Sequence, residues 1–550
     1  MVGKESFIKL FDIADRKLTV KHPTTYSRMM NDTAQNVLSK VCQIIAIEKS
    51  QFLSVGVTTD LWTSRAGDSY ISLTLSWINL KWEMLRFTPF VHPFPGRHTG
   101  NRISVELDDM FEELQFDATT DKVCVSDNAA NMKVALKKSD HLREYFCNIH
   151  TLQLGIEDTF KNVDGMRSVL AKCKEIAKFC HQSTVAMDQL RDTAKRCGVS
   201  FKKPKNPNKT RWDSQYETMC SIHHLKAAIE DLETTETDWE VKALTRSEWK
   251  LLEGALKVLH PFKETTKVWQ YEAIPTINLV IERIYHMEQN LIEFINNKNN
   301  DKFGITFAKE LRRNLDKRFP SHGLHVFERR AANYLDPCLK GIHLRKFQQF
   351  EATKEDLENL YKRTEDDDLA VGAEENVDNN NAATEVVGDK ELSPTSKLKF
   401  EFELPVAEEI ENCKIRKEML MFEKMEAASK EENVLGWWKS QEKHLPLLAK
   451  LARRILAIPA SSGKSERVFS TGGNFVKEKR TRLNALKVQS LIIIKENRAH
   501  VDHYLSMINQ DKFVAAEGEN AFEKVKVKTI VGILNDDELS SDTEYYADDD

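Results

Sequence analysis

One stretch of the chain decides its fold: Tyr70-Ile71-Ser72-Leu73-Thr74-Leu75-Ser76-Trp77-Ile78. Apolar and hydroxyl side chains alternate along it, which predicts a β-strand at 70–78 with one apolar face. Further strands are predicted at 53–58 and from Trp82 to Val91, and the short link at 79–81 favours an antiparallel hairpin with the latter. Pro89 and Pro93 are expected to end that hairpin strand.

A helix and a fourth strand are predicted next. Residues 101–116 carry apolar side chains at helical spacing, and the apolar run 122–126 predicts a buried strand. Asp60 follows the first strand and Asp127 follows this one. If these strands are parallel neighbours, both carboxylates emerge at the same sheet edge, where open mixed sheets usually build sites. Alternatively, each Asp caps a turn or a helix.

The rest of the chain is predicted to be mainly helical. A helical segment is expected at 1–50, the first part of a core at 51–160 and an all-helical insertion at 161–360. An acidic linker at 361–396 has too little apolar content to fold, so we expect it to be disordered. Helices return at 397–500, and an acidic tail follows at 501–550.

Charge is distributed unevenly along the 550 residues, whose formal net charge is −5. Residues 365–391 carry ten acids and one lysine, and residues 535–550 carry eight acids and no base. These segments contribute −9 and −8, so the rest of the chain carries +12. A basic body with acidic appendages suits a surface that binds a polyanion, although a solvated mixed surface would have the same composition.

Several classes of protein are disfavoured by the sequence. No apolar run approaches the ~20 residues that cross a bilayer, and the amino terminus lacks a signal-peptide core, so no membrane association is expected. The nine cysteines include no Cys-x-x-Cys pair, so we expect reduced, packed thiols. Residues 462–465, Ser-Gly-Lys-Ser, resemble the end of a phosphate-binding loop. Ile458 occupies the position of that loop's first glycine, so no nucleotide cofactor is predicted.

Five short motifs occur in a fixed order along the chain. They are Thr59-Asp60-x-Trp62-Thr63-Ser64, Ser126-Asp127-Asn128-x-x-Asn131-Met132, Cys147-x-x-His150-Thr151-Leu152, Arg211-Trp212-x-Ser214 and Ser465-Glu466-Arg467-x-Phe469-Ser470. Together they resemble the hAT superfamily of DNA transposases, in the animal branch related to zinc finger BED domain-containing proteins. The resemblance covers roughly residues 1 to 500.

This resemblance implies an α/β fold: a ribonuclease H-like mixed sheet, a large all-helical insertion and a C-terminal helical dimerisation region that completes the catalytic core. It also implies an Asp-Asp-Glu triad, here Asp60, Asp127 and Glu466, that binds Mg²⁺ or Mn²⁺ in a two-metal site. Such metals would activate water or a 3′-hydroxyl for attack on a DNA phosphodiester. Excision with hairpins on the flanking DNA and joining to a target would follow. Judged alone, Glu466 is an ordinary acid at a helix start.

A DNA contact is predicted inside the insertion, where Trp212 follows a basic stretch that contains no acid. Its cations are Lys202, Lys203, Lys205, Lys209 and Arg211. A cationic track beside an aromatic ring suits phosphate contact and stacking on an unpaired base. The resemblance associates this Trp with a flipped base, whereas the alternative is a core Trp beside a solvated lysine loop.

The resemblance also implies a homodimer or higher oligomer through the C-terminal region. Its candidate contact residues are Trp437, Trp438, Leu448, Leu451, Leu491 and Ile492. Apolar clusters of this kind occur at obligate interfaces, but part of this one must pack on the sheet as ordinary core.

Zinc is not expected in this chain. Cys147 and His150 are two ligands where a structural site usually has four, so they are expected to pack near the catalytic core. The BED finger with which such proteins commonly begin is absent from the sequence, which weakens any expectation of sequence-specific targeting.

The sequence is compatible with two functions. One is an active or recently inactivated nuclear transposase; the other is a domesticated, non-catalytic nuclear DNA-binding protein that regulates transcription or chromatin. A cytoplasmic interaction scaffold would leave the ordered motifs unexplained.

Overall fold

The structure is a computed structural model of the 550-residue chain. It describes residues 22–49, 54–116, 120–139, 142–206, 212–236, 238–374, 414–429, 431–476 and 483–507.

A five-stranded mixed sheet lies in the first third of the chain. Its strands are β1 (Ser54–Thr63), β2 (Ser69–Ile78), β3 (Met84–Pro93), β4 (Asp121–Ser126) and β5 (Leu142–Phe146). They are ordered β3-β2-β1-β4-β5. The first three strands are antiparallel neighbours, whereas β4 is parallel to β1 and β5 is parallel to β4. The predicted hairpin and the predicted parallel pair of β1 and β4 are both confirmed.

Two details of the sheet differ from the expectation. Pro89 lies inside β3 rather than at its end, because β3 is an edge strand and the β2–β3 register shifts between Leu73 and Leu75. An edge or a bulge is where a sheet tolerates a residue without an N–H. Strand β5 was not predicted, because Leu142–Phe146 carries two charged side chains and does not alternate clearly.

The helices account for most of the remaining described residues. In chain order they are α1 (Pro23–Lys49), α2 (Gly100–Glu113), α3 (Ala130–Lys138), α4 (Asn148–Asn162), α5 (Met166–Gln182), α6 (Thr184–Arg196), α7 (Trp212–His224), α8 (Lys226–Thr235), α9 (Arg246–Trp269), α10 (Val280–Asn296), α11 (Lys302–Arg318), α12 (Phe327–Leu335), α13 (Ile342–Lys346), α14 (Phe350–Glu374), α15 (Lys414–Lys424), α16 (Val434–Gln441), α17 (Pro446–Leu456), α18 (Gly463–Phe475) and α19 (Ala485–Met507). Short 3₁₀ turns occur at Ile277–Leu279 and Pro320–Gly323.

Several expected domain boundaries can be compared with these elements. Helix α14 continues to Glu374, so the backbone is still helical beyond 361, where the linker was expected to begin. Helix α19 likewise passes the expected start of the tail at 501. The expected disorder at 375–396 and the acidic tail beyond Met507 lie outside the described residues, as does the segment before His22.

Two apolar cores hold the chain together. One joins the helices between α4 and α17 to Val123 and Val125 of β4. The other joins the sheet to α1, α2, α3, α18 and α19. Helix α19 packs on both α1 and β3, and Asn497 bonds with its amide group to the backbone N–H and C=O of Thr88. The C-terminal helices therefore complete a core that the first 140 residues begin.

No helix in the described part of the chain is long and apolar enough to span a membrane. All described cysteines are free thiols, and five of the eight are buried.

Candidate functional site

The parallel pairing of β1 and β4 sets the positions of two candidate acids. Ser54 is level with Asp121, and Thr58 is level with Val125. Extending the same offset by two residues would set Asp60 level with Asp127, which directly follows β4. Asp60 itself lies inside β1, because this strand continues to Thr63, paired with β2, instead of ending at 58 as predicted.

Helix α18 crosses β1 beside Asp60. The Ser465 hydroxyl donates a buried 2.8 Å hydrogen bond to the hydroxyl of Thr58. Further along the helix, the Phe469 ring stacks on Trp62 with ring centroids 5.7 Å apart. Because alternate residues of a strand share a face, Thr58, Asp60 and Trp62 all lie on the side of β1 that meets the helix. The two contacts bracket Asp60 on the strand and Glu466 on the helix.

The close approach of α18 to β1 depends on a glycine. A Cβ added at Gly472 would lie only 3.0 Å from the Trp62 ring. A larger residue would therefore push the helix away from the strand that carries Asp60.

Cys147 lies between the end of the sheet and the helix that carries Glu466. Ser126 is level with Phe146 in β5, so Cys147 is level with Asp127. Burial raises the pKa of the Cys147 thiol, and the negative charge of Glu466 raises it further. The thiol sulfur also accepts hydrogen bonds from the backbone N–H groups of His150 and Ser462, both at 3.4 Å. Cys147 therefore packs between the sheet edge and the start of α18, as expected, whereas His150 is only half-buried.

The aspartates also make the local bonds of the alternative interpretation. Asp60 Oδ1 accepts a 2.8 Å hydrogen bond from the N–H of Leu61, and Asp127 Oδ1 accepts one of 3.1 Å from the N–H of Ala129. The second bond caps the turn that leads into α3. Among the described residues, no group of three His, Cys, Asp or Glu side chains could hold a metal ion. Asp60 lies in β1, Asp127 directly follows the neighbouring β4, and Glu466 lies on the helix that contacts β1, but the three do not form a three-ligand metal group.

The segment Ala457–Ser462, which we call the connecting segment, leads from α17 into α18 and is held by polar contacts with three parts of the molecule. The sheet contributes Ser76, whose hydroxyl donates to the carbonyl of Ala457 at 3.0 Å. The start of α4 contributes Asn148, which donates its side-chain amide to the Ala460 carbonyl at 2.6 Å.

The third part is the end of α9 and the loop that follows it. The Thr276 hydroxyl accepts from the N–H of Ala460 at 3.0 Å, and the Ser461 hydroxyl donates to the Trp269 carbonyl at 2.9 Å. All of these bonds are buried, so the start of α18 is fixed relative to both the sheet and the helices.

Buried Arg329 on α12 strengthens the same junction. It donates to the side-chain oxygen of Asn148 at 2.7 Å and to the Tyr145 hydroxyl at 3.1 Å. Asn148 thereby connects α12 with the connecting segment. No local sequence pattern identifies this network, because its members are far apart in the chain.

The predicted DNA-contact residues fall into two groups. Lys202, Lys203 and Lys205 are exposed, and Lys205 forms an ion pair with Glu217 at 2.6 Å. Trp212 is 1% exposed and packs in the helical core, where its ring meets that of Tyr216 edge to face. Trp212 is therefore a core residue in this structure, as the alternative interpretation expected, and its ring is not exposed to stack on a base. Lys209 and Arg211 lie outside the described residues.

Most of the predicted dimer contacts are buried within one chain. This is a correction for Trp437, Trp438, Leu448, Leu451 and Ile492, whose side chains belong to the two cores. Trp438, for example, donates its indole N–H to the carbonyl of Leu335 at 3.0 Å. Leu491 alone is half-buried. The apolar clusters that suggested an interface are needed to attach the C-terminal helices to the rest of the chain.

Sequence reasoning missed Arg86 on β3, which is 5% exposed and lies near Glu272 and Arg467. The one signal for it was a single cation inside the apolar stretch Leu85-Arg86-Phe87.

Comparison with known proteins agrees with the resemblance. The family described as the hAT family C-terminal dimerisation region matches residues 416–498, and the ZBED1 RNase-like helical domain matches residues 146–258. The chain is 23% identical over 473 residues to the zinc finger BED domain-containing protein RICESLEEPER 2 of Oryza sativa subsp. japonica. The aligned region covers 80% of this chain and 64% of that protein.

Two further relatives have similar identities. The putative AC transposase of Zea mays is 24% identical over 533 residues, or 90% of this chain and 63% of that protein. Zinc finger BED domain-containing protein 6 of Homo sapiens is 22% identical over 520 residues, which are 84% of this chain and 50% of that protein. The chain thus spans less than two thirds of the length of these curated relatives. It carries a hAT dimerisation region and a ZBED1 RNase-like helical domain, and its relatives are hAT transposases and BED-finger proteins.

Proposed function

We propose that this protein is a hAT-type transposase that binds DNA, acts as a dimer and cuts DNA strands with Mg²⁺ or Mn²⁺ held by Asp60, Asp127 and Glu466. The observation that carries the proposal is the contact between the strand of Asp60 and the helix of Glu466. It is supported by the parallel pairing of β1 with β4, the strand that Asp127 follows, and by the Ser465–Thr58 bond, which lies next to Glu466 in the sequence. On this proposal the sheet is a ribonuclease H-like core and residues 161–360 are its helical insertion.

The chemistry of the three acids suits the proposed ions, because Mg²⁺ prefers oxygen ligands. When bound, such ions stabilise the charge that develops on the attacking and leaving oxygens of a phosphodiester. The chain's own contribution is positioning. Asp127 is oriented by the Ala129 N–H, and Glu466 by the contacts of α18 with Thr58 and Trp62. Since the spacing is not that of a closed site, the acids must draw closer when metal and DNA bind.

The test is nicking of terminal-inverted-repeat DNA by the purified protein in Mn²⁺. We expect the wild type to nick it, and Asp127→Asn to bind the DNA with cleavage reduced by ~100-fold or more. Asp109→Asn is the matched control, because Asp109 is an exposed acid of α2 and should be neutral. A wild-type protein that binds the DNA without nicking it would refute the enzyme.

A second candidate function is a domesticated nuclear DNA-binding regulator without catalysis. It is favoured by the absence of a three-ligand metal group from the described residues and by the use of Asp127 as a turn cap. In that case Asp60→Asn and Glu466→Gln would leave both DNA binding and gene regulation unchanged. A loss of either function in a folded variant would count against the regulator.

DNA binding, dimerisation and nuclear residence belong to both candidates. The match to the hAT dimerisation region supports a dimer, and the exposed Lys202, Lys203 and Lys205 support a phosphate contact. Light scattering of the purified protein and imaging of a tagged copy in cells would test the dimer and the location. A monomeric or cytoplasmic protein would contradict the respective proposal.

A further inference from the structure

A small pocket that opens to solvent lies between the sheet, the loop after α9 and the start of α18; it holds about 320 Å³ of free space, including its open mouth. Hydroxyl groups of Thr58 and Ser76 line its sheet side. The charged side chains around it are Arg86 from β3, Glu272 from the loop, and Lys464 and Arg467 from α18. Three cations and one carboxylate therefore surround one small cavity.

Arg86 is the unusual member of this set. It is 5% exposed, and its buried Nη1 makes no hydrogen bond to any described residue. Burial lowers the pKa of Arg86 to about 10, so the guanidinium is still charged at neutral pH. A buried cation with an unused donor is costly unless an anion meets it.

Glu272 neutralises only part of the cluster. Its carboxylate accepts a 2.7 Å hydrogen bond from Arg467 Nε and lies 3.5 Å from Lys464 Nζ. Lys464 is held more closely by Glu496, at 2.8 Å, which does not line the cavity. Although burial would raise the pKa of Glu272, Lys464, Arg467 and Arg86 hold it below its ordinary value, so the carboxylate is ionised. The lining still has more positive than negative charge.

We propose that this cavity binds a phosphate group through Arg86, Lys464 and Arg467, and that Glu272 competes with the phosphate for the same cations. Two guanidinium groups and an ammonium group favour a multiply charged tetrahedral anion, because guanidinium forks match pairs of phosphate oxygens. On the sheet side, the Thr58 hydroxyl adds a polar partner, whereas the Ser76 hydroxyl already donates to the carbonyls of Gly56 and Ala457.

The cavity also suggests the source of the phosphate. Thr58 lines it, and Asp60 lies two residues further along the same face of β1, about 7 Å away. Arg86 is level with Ser76 and Gly56 and so lies on the side of the cavity away from Asp60. A phosphate at the Thr58 side of the cavity would lie near Asp60, as expected for a DNA strand that passes from this cavity to the acids. This assignment to DNA rests on the proposed function, whereas phosphate binding itself does not.

The first experiment is calorimetric titration of the full chain with inorganic phosphate, without divalent metal, at constant ionic strength set with chloride. We expect saturable binding that Arg86→Gln weakens by about tenfold or more, because a charge-assisted contact is lost. Glu272→Gln should strengthen binding several-fold, because it removes the competing charge. Arg191→Gln, at an exposed arginine of α6, should have no effect.

Two results would overturn the site: no saturable binding by the wild type, or unchanged affinity in Glu272→Gln. The second variant keeps the test decisive if Arg86→Gln fails to fold, since Glu272 lies in a loop and Gln has nearly the same shape.

The second experiment separates the sources of phosphate. A short single-stranded DNA should displace inorganic phosphate from the wild type and from Asp127→Asn, but bind Arg86→Gln more weakly. If inorganic phosphate binds and DNA does not displace it, the cavity takes free phosphate and the DNA assignment is wrong. If the wild type does not nick DNA but binds phosphate more tightly than Arg86→Gln does, the proposed function fails and the phosphate site stands.

Discussion

Ser465 donates a 2.8 Å hydrogen bond to Thr58, a residue 407 positions earlier in the chain. This bond joins the first strand of the sheet to the helix that carries Glu466. It forms only when the two ends of the core have come together.

Removing this hydroxyl should therefore loosen the start of α18. We expect Ser465→Ala to reduce the free energy of unfolding by about 1 to 2 kcal/mol, because the buried Thr58 hydroxyl loses its partner. Ser470→Ala, at an exposed position of the same helix, is the control and should change stability by less than about 0.5 kcal/mol. Urea denaturation measures both. Equal effects of the two variants would contradict this account of the bond.

Gly56 marks the closest approach of β1 to the connecting segment. A Cβ there would lie 2.6 Å from Ser76 Oγ and 2.7 Å from both the Ala457 carbonyl oxygen and Pro459 Cδ. Two of these neighbours are a backbone atom and a ring atom, so they cannot rotate away. We expect Gly56→Ala to destabilise the protein by about 1 to 3 kcal/mol.

Gly436→Ala is the matched control for this prediction. Gly436 lies in α16, where the nearest atom to an added Cβ is 3.6 Å away, so alanine should be neutral or stabilise by up to about 1 kcal/mol. Thermal unfolding compares the two variants. A Gly56→Ala protein as stable as the wild type would show that the connecting segment does not pack as described.

The start of β4 should make stability depend on pH. Asp121 accepts two 2.7 Å hydrogen bonds from Arg143 and lies 3.2 Å from Arg454 of α17. Although burial would raise the pKa of Asp121, these arginines hold it below its ordinary value. Because the pKa is lower in the folded state, the stabilisation is present above the unfolded-state pKa of about 4 and is lost as the pH falls through the folded-state pKa.

Asp121→Asn should accordingly cost about 1 to 3 kcal/mol at pH 7, and the difference from the wild type should shrink below about pH 4. Asp188→Asn removes an exposed ion pair with Arg191 and should cost less than about 0.5 kcal/mol. Denaturant midpoints between pH 3 and pH 7 measure both variants. A difference that is constant across this range would refute the assigned role of Asp121.

The buried tryptophans and Leu491 should respond differently to substitution. Trp438→Ala removes a fully buried ring and should lower stability by about 3 to 5 kcal/mol without giving a folded monomer. Leu491→Asp, at the half-buried position, should keep the fold and weaken the dimer. Light scattering and circular dichroism together separate the outcomes. A folded, monomeric Trp438→Ala protein would show that Trp438 contributes to the dimer contact rather than to the core.

Local periodicity is sufficient to predict much of the sheet. Alternation identifies β2, and the apolar runs before Asp60 and Asp127 identify β1 and β4, which are parallel neighbours, although β1 continues past Asp60. Strand β5 escapes prediction because Arg143 and Glu144, in its short span, break the apolar pattern. The prediction that Pro89 ends its strand is wrong, because a strand accepts proline at a sheet edge or a bulge. Edges and bulges are properties of the sheet and cannot be read from one strand.

The site is predictable only in part, because its contacts are non-local. The motif around Glu466 identifies the acid, but not the bond of Ser465 to Thr58 that locates it. For Trp438 and its apolar neighbours, core and interface have the same composition, and only packing distinguishes them. Arg86 and Glu272 come from a strand and a distant loop, so no spacing rule connects them.

The connecting segment also determines when the acidic edge can be completed during synthesis. Its partners Ser76, Asn148 and Thr276 all leave the ribosome earlier. Ser76 and Asn148 can keep their bonds to Gly56 and Tyr145, but their contacts with Ala457 and Ala460 must wait for the connecting segment. A nascent chain that stops before Ala457 would hold both aspartates but would lack Glu466 and every contact of this junction. A prematurely terminated product therefore cannot join the helix of Glu466 to the strand of Asp60.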